Sequence, residues 1–142
     1  KIQETPGYEN VFLLDVASQI GVRASRTLVG TEELRLEDTL NKKTYPDVIG
    51  IGGTYSFLKG LPCPIPYGTL VPQRVDNLLA AGRCVAADNT MLNYTRLIAP
   101  CMLTGQAAGA AAALAVQENS TPRKVNVTKL QGLLKKQGAY LG

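Results

Sequence analysis

The spacing of apolar residues differs between the two halves of this 142-residue chain. In the first half, short apolar runs are interrupted by glycines, prolines and charged residues, which is typical of short strands joined by loops. Residues 22–29 alternate well enough to predict a strand, and residues 65–71 predict an edge strand because the flanking prolines cannot donate to a ladder. Residues 78–81 form an apolar run that ends at Gly82 and predict a central strand buried on both faces.

Helix-forming residues dominate the second half. Residues 101–118 form one Ala-rich run, which predicts the longest helix of the chain. A last helix is predicted at residues 128–137, with Asn126 or Thr128 as its cap and Gly138 as its stop.

The connecting region between the first two predicted strands is rich in turn-forming residues. Residues 30–44 predict a turn, an irregular segment and one helical turn near Glu37. Residues 45–66 predict loops that join short strands. Within them, the run Gly-Ile-Gly-Gly at residues 50–53 is interpreted as a loop, because Tyr55 stands where a phosphate-binding glycine loop would need its last Gly.

Composition bounds the class of protein. Hydrophobic residues make up 45% and charged residues 18%, a globular balance that excludes a disordered tail. The length suits one modest domain or parts of two. The net charge of +4 is scattered and no aromatic residues interleave with a basic stripe, so nucleic-acid binding is not favoured. No membrane span is predicted, because the longest apolar stretch, residues 107–116, is ten residues of mostly Ala.

Cysteine usage and the start of the chain bear on compartment and metal content. Cys63, Cys84 and Cys101 are widely spaced, no CxxC pair occurs and the chain has no His, which disfavours a zinc site. An odd number of cysteines favours reduced thiols and a cytoplasmic location, with export left open. The chain begins with Lys and without a basic and apolar leader, which indicates a trimmed or truncated chain.

Candidate chemistry is concentrated in residues 77–113. A strand ending in Gly82, then a loop, then a helix crowded with Gly and Ala, brings backbone close to a flat or phosphorylated ligand. The helix start offers unpaired N–H groups and the positive end of a dipole. Gly105, Ala108, Gly109 and Ala112 recur at helical spacing and make a smooth face. The same pattern fits a helix packed tightly on a sheet equally well, so spacing alone leaves both interpretations open.

Several motifs in one order give a more specific indication. Residues 21–30 read GVRASRTLVG, residues 65–72 read IPYGTLVP and residues 77–83 read NLLAAGR. Residues 96–109 then carry Arg, Pro, Cys-Met, Gly and Ala-Ala-Gly in that order, and residues 127–141 form the closing helical segment. Together these motifs resemble the C-terminal part of an FAD-dependent oxidoreductase family, and the resemblance covers nearly the whole chain.

The resemblance implies a fold and a cofactor. The fold class would be an α+β fragment of an α/β flavoprotein, with short strands of a substrate-type domain in residues 1–72. Residues 73–142 would supply the closing strand and the Ala/Gly-rich helix of the FAD-binding domain and end in a C-terminal helix. The resemblance places a set of residues near FAD, along the ribityl and diphosphate part and the pyrimidine edge of the flavin: Gly82, Arg83, Asn89, Arg96, Met102, Thr104, Gly105 and Gln106.

Two departures from the family pattern limit what can be carried over. Relatives commonly have a His in the loop after the AGR motif, whereas this chain has Asp88-Asn89 there. An acid or base supplied by that imidazole is therefore absent, and no catalytic residue is assigned. The family's G-x-G-x-x-G phosphate loop is also missing, which implies that an N-terminal FAD-binding half or a partner chain supplies it.

Three side chains have open roles at this stage. Arg23 and Arg26 are three residues apart, so on a regular strand they would point to opposite faces, and at most one would contact substrate or flavin. Arg96 would either favour the anionic edge of reduced flavin or form a structural ion pair. Cys101 is either redox-active at the helix start or a small buried thiol.

Two functions follow from these observations. The leading hypothesis is the C-terminal segment of a flavoenzyme, which closes the flavin site and stabilises reduced flavin while a small-molecule substrate gives up hydride or electrons. The alternative is a non-catalytic docking or structural module that has lost flavin binding. Under either hypothesis the chain alone is expected to be inactive, and its substrate is not specified by the sequence.

Overall fold

A computed structural model describes residues 1–142 of the chain. It contains four α-helices and one two-stranded sheet, so the expected α+β class is confirmed. In chain order these are α1 (Leu36–Leu40), β1 (Val48–Gly52), β2 (Cys63–Pro66), α2 (Leu92–Thr95), α3 (Ile98–Gln117) and α4 (Val127–Lys136). Short 3-10 helices lie between them, at Ile2–Glu4, Ser56–Leu58, Tyr67–Leu70, Gly82–Cys84 and Pro122–Lys124.

The sheet is an antiparallel pair of β1 and β2. Ile51 stands opposite Pro64 and Gly52 opposite Cys63, with an irregularity between Val48 and Gly50. The prolines of β2 restrict it to the edge. On the other side of β1 the Ile51 N–H donates to the Tyr140 carbonyl at 2.8 Å, so the C-terminal tail occupies that edge.

Glycines let the helices approach β1 closely. A Cβ on Gly50 would lie 2.5 Å from Leu103 of α3, and one on Gly52 would overlap the Tyr94 hydroxyl of α2. Tyr94 is fully buried, and its hydroxyl has no hydrogen-bond partner. Burial raises its pKa, with a further contribution from Cys63. Side chains from both halves of the chain share this core, including Leu34, Ile49, Leu58, Ile65, Leu70, Met91, Leu130 and Leu134.

One hydrophobic core contains residues from both sides of position 72. The structure therefore does not separate residues 1–72 from residues 73–142, and the division into two domains stays a prediction.

Both long helices are where the sequence predicts them. Helix α3 begins three residues earlier than expected, so that Pro100 lies in its first turn, where no N–H is needed. Helix α4 is capped by Asn126, whose side chain accepts a hydrogen bond from the Lys129 N–H at 3.1 Å. The chain leaves α4 at Gly138, whose φ of 86° is in the left-handed region that favours Gly. The helical turn expected near Glu37 is α1.

The strand predicted at residues 22–29 is wrong. All residues from 1 to 27 are exposed, and this segment has no ladder partner. It contacts the rest of the chain at its end, where the Leu28 N–H donates to the Cys84 carbonyl and the Val29 carbonyl accepts from Gln73. An alternating pattern predicts a strand only where a second strand is available to pair with it.

Two further strand predictions fail for local reasons. Residues 78–81 belong to no strand. The Ala80 N–H donates to the Leu70 carbonyl, and Leu78 remains 47% exposed. The strand at 65–71 ends at Pro66, because the Thr69 hydroxyl donates to the Pro66 carbonyl and the Gly68 N–H donates to Asp47. These bonds fold residues 67–70 into a 3-10 turn.

The Gly-rich run at residues 50–53 is also misassigned as a loop, since Gly50, Ile51 and Gly52 belong to β1. Only Gly53 lies outside the strand.

Helix α3 is longer than its most apolar stretch. Its 20 residues are sufficient in length and composition to cross a membrane. Of the apolar 18-residue stretch within it, 33% is buried inside the structure. A single helix of this kind is weak evidence for a span, because core helices share these properties. Here one face of α3 packs on β1 and α4.

Gly52→Ala should lower the free energy of unfolding by about 1–3 kcal/mol, because the new methyl group overlaps a buried Tyr94 ring that cannot move aside. Gly53→Ala is the matched control, since a Cβ there meets nothing within 4 Å. Urea unfolding of both variants measures the difference. Equal stabilities would contradict the proposed close contact between β1 and α2.

Candidate functional site

The turn Gly82–Cys84 is joined to the first turns of α3 by a buried threonine. The Gly82 N–H donates to the Thr104 hydroxyl oxygen at 2.9 Å, and that hydroxyl donates to the Pro100 carbonyl at 2.7 Å. Thr104 is 1% exposed, so these bonds are shielded from water. Gly82 has a φ of +76°, which a residue with a side chain adopts at a cost of roughly 1–2 kcal/mol. This geometry fixes the turn against the helix start.

The start of α3 has free hydrogen-bond donors. Leu97 is the N-cap and makes no side-chain cap bond, and the N–H groups of Ile98 and Ala99 donate to no acceptor in the chain. Pro100 has no N–H. The helix is 20 residues long, and its dipole places partial positive charge at this end. An anionic or carbonyl group of a ligand is favoured here.

Asp88 organises the loop that leads to α2. One of its carboxylate oxygens accepts from the N–H groups of Thr90 and Met91, both at 2.8 Å, and the other accepts from the Leu36 N–H at 2.7 Å. This carboxylate therefore caps the start of α1 and shapes the loop that leads to α2. Sequence reasoning noted Asp88 but gave it no role, because its partner Leu36 lies 52 positions away in the chain.

The predicted site residues divide into three groups. Gly82 and Thr104 are brought together by the hydrogen bond described above. Four others are exposed and keep free side chains or open space: Arg83, Asn89, Met102 and Gly105. The last two contact other side chains: Arg96 donates to Asn93 at 3.3 Å, and Gln106 donates to Gln137 beyond α4 at 3.1 Å.

The structure shows the surroundings of Arg96 and Cys101, the two side chains beside the start of α3 whose roles the sequence left open. Arg96 directly precedes the N-cap of α3 and is half-buried, and it forms no ion pair in the structure. The Cys101 thiol is partly buried and donates to the Thr95 carbonyl at 3.2 Å. Cys63 is the fully buried thiol, and burial raises its pKa to about 11.

The expectation for Arg23 and Arg26 was wrong in one respect. Both line a single cavity together with Arg83. Side chains three residues apart point to opposite faces only on a regular strand, and residues 22–29 do not form one.

Comparison with known families shows which family the chain belongs to. Residues 1–134 match the family profile described as FAD dependent oxidoreductase. The chain belongs to this family. The family is FAD-dependent, so the chain is of the flavin oxidoreductase kind and FAD is its cofactor. Neither the curated proteins nor the solved structures gave a significant match.

The residues present fit one part of FAD. The uncapped start of α3 matches the polar, electron-rich edge of a flavin ring, and Gly82 presents backbone without a side chain next to it. No second element in the chain has the Gly-rich turn and long helix that hold a diphosphate. The start of α3 and Gly82 would therefore suit one edge of FAD, and no glycine-rich phosphate loop accompanies them in the chain.

Thr104→Val should lower the free energy of unfolding by about 1–2 kcal/mol more than Thr104→Ser does, because only Ser keeps an acceptor for the Gly82 N–H. Chemical denaturation of the two variants gives the comparison. If Val and Ser prove equally stable, the bond between the turn and α3 does not hold the site together.

Proposed function

We propose that this chain is the C-terminal segment of an FAD-dependent oxidoreductase, in which it closes the flavin site and stabilises reduced flavin. The single observation that carries the proposal is the outer face of α3, defined by Ile98, Met102, Gly105, Gly109 and Val116. This face begins at the uncapped helix start and runs along the whole helix without any cover from the chain.

The two faces of α3 are both apolar. The inner face packs through Thr104, Ala107, Ala111 and Ala115, which are all buried. On the outer face, Ile98 is 79% exposed, Met102 71% and Val116 81%. A helix that is apolar all round is normally covered on all sides. The outer face of α3 therefore fits a surface that is buried in the complete flavoprotein.

The N-terminal segment supports the same conclusion. Phe12, Leu14 and Ile20 are at least 80% exposed, and soluble proteins rarely leave so many large apolar side chains uncovered in one segment. An FAD-binding half with the missing phosphate loop is the partner proposed for both surfaces, as the preceding part of the same protein or as a separate chain. A cytoplasmic location is proposed with it, on the three free thiols.

In this proposal FAD supplies the redox chemistry by accepting hydride or electrons from a small-molecule substrate. The start of α3 contributes N–H groups and a dipole that favour negative charge on the bound ring, and Arg96 adds a full charge two residues before it. The outer face of α3 excludes water and admits close contact, because Gly105 has no side chain.

Gly105→Leu should abolish flavin retention in the complete protein and leave the fold of this chain intact. A Cβ at Gly105 meets nothing within 4 Å inside the chain, so any clash must come from what covers the helix. Gly105→Ala should be milder and can stabilise α3 by up to about 1 kcal/mol. The flavin-to-protein absorbance ratio after purification and the melting temperature are measured together.

Gly132→Leu is the matched control, because Gly132 is an exposed glycine in α4 that also has open space around it. It should retain flavin. If Gly105→Leu retains flavin as well, the outer face of α3 is not at the cofactor. A complete protein that binds no FAD before any substitution would favour the alternative, a docking module that has lost flavin binding.

Arg96→Met should make the flavin midpoint potential more negative, because loss of the positive charge destabilises the anionic reduced state. The shift is roughly 20 mV for each 1 kcal/mol of lost two-electron stabilisation. The melting temperature should stay the same, since Arg96 has no ion-pair partner. Asn93→Ala removes its hydrogen bond but keeps the charge, and should leave the potential near that of the parent protein.

A lower melting temperature with an unchanged potential in Arg96→Met would assign Arg96 a structural role instead.

A further inference from the structure

A small cavity between the N-terminal segment and the Gly82–Cys84 turn is lined by three arginines. Its volume is about 240 Å³, and Arg23, Arg26 and Arg83 line it together with Ser25 and Cys84. The Leu28 N–H donates to the Cys84 carbonyl at 2.8 Å and so holds the segment beside the turn. Two separate parts of the chain thus contribute positive charge to one space.

These guanidinium groups have no partner within the protein. None of the three forms an ion pair, and none donates a hydrogen bond to a side chain or carbonyl, although other arginines of the chain do both. The backbone N–H groups of residues 23–26 also donate no hydrogen bond. Three like charges around one cavity repel each other and create a positive potential, which a bound anion would offset.

We propose that Arg23, Arg26 and Arg83 bind the carboxylate or phosphate group of a small anionic substrate. Guanidinium groups bind such groups through paired hydrogen bonds, and Ser25 offers a hydroxyl donor in the same cavity. All three arginines are exposed, so the cavity is open to solvent and would hold the anionic group of a substrate without enclosing the whole molecule.

The position of the cavity fits a substrate of the proposed enzyme. Arg83 follows Gly82, whose N–H is bound to Thr104 of α3, so the cavity is connected to the helix whose start faces the flavin in the proposed function. This assignment rests on that proposed function in calling the ligand a substrate. The presence of an anion site can be tested without it.

The test uses malonate as a probe and isothermal titration calorimetry on the complete protein at low ionic strength. Malonate should bind, and Arg23→Met and Arg26→Met should each weaken its affinity by about tenfold, as expected for the loss of one charge-assisted hydrogen-bond donor. Arg74→Met is the matched control, because Arg74 is exposed, has no ion pair and lies outside the cavity. Its affinity for malonate should equal that of the parent protein.

Flavin content, measured by absorbance in every variant, separates the possible occupants. Unchanged FAD content with weakened malonate binding supports the proposal. If Arg23→Met and Arg26→Met lose FAD and the parent protein binds no malonate, the cavity holds the FAD diphosphate and the proposal is overturned. Equal malonate affinity in all variants overturns it as well. A protein that binds malonate through these arginines but never binds FAD would contradict the proposed function and keep the anion site.

Discussion

The close approach of β1 to helices α2 and α3 is the constraint on which the rest of the structure depends. It is possible because Gly50 and Gly52 have no side chains, so that Leu103 and the ring of Tyr94 fill the space above the strand. The packing places α3 across β1 and brings its first turns to Gly82. A side chain at either glycine would move the helix, and the donors at its start would move with it. The packing of the inner face of α3 on β1 thus sets the position of the helix start.

The helices could be predicted from the sequence because the information that forms them is local. An Ala-rich run, the Asn126 cap and the Gly138 stop act within a few residues of where they stand. The strands could not be predicted in the same way. Residues 22–29 and 78–81 have strand-like patterns, yet a strand needs a partner, and none is available to them within this chain. The Gly-rich run in β1 was predicted as a loop, because the side chains that cover it, Leu103 and Tyr94, lie more than 40 positions away in the chain.

The same distinction applies to the site. Gly82, Thr104 and the start of α3 were each expected along FAD, and the structure joins the first two by a hydrogen bond that the sequence did not predict. Their contact with flavin stays a prediction. The shared cavity of Arg23 and Arg26 was missed because the geometry of a regular strand was applied to a segment that does not form one. The role of Asp88 was missed because its second partner lies far away in the chain.

The glycines of β1 and those of α3 differ in what lies next to them. A glycine in a helix costs about 1 kcal/mol relative to Ala, and Gly50 and Gly52 offset a comparable cost by admitting side chains that fill the core. Gly105 and Gly109 admit nothing within the chain, since no atom lies within 4 Å of a Cβ built at either position. Gly132 of α4 is similar but stands alone, whereas Gly105 and Gly109 are one turn apart on the same exposed face of α3. These two glycines reduce the stability of the isolated helix without any compensating contact in the chain. In the proposed function, contact with a surface or ring system that approaches α3 from outside offsets this cost.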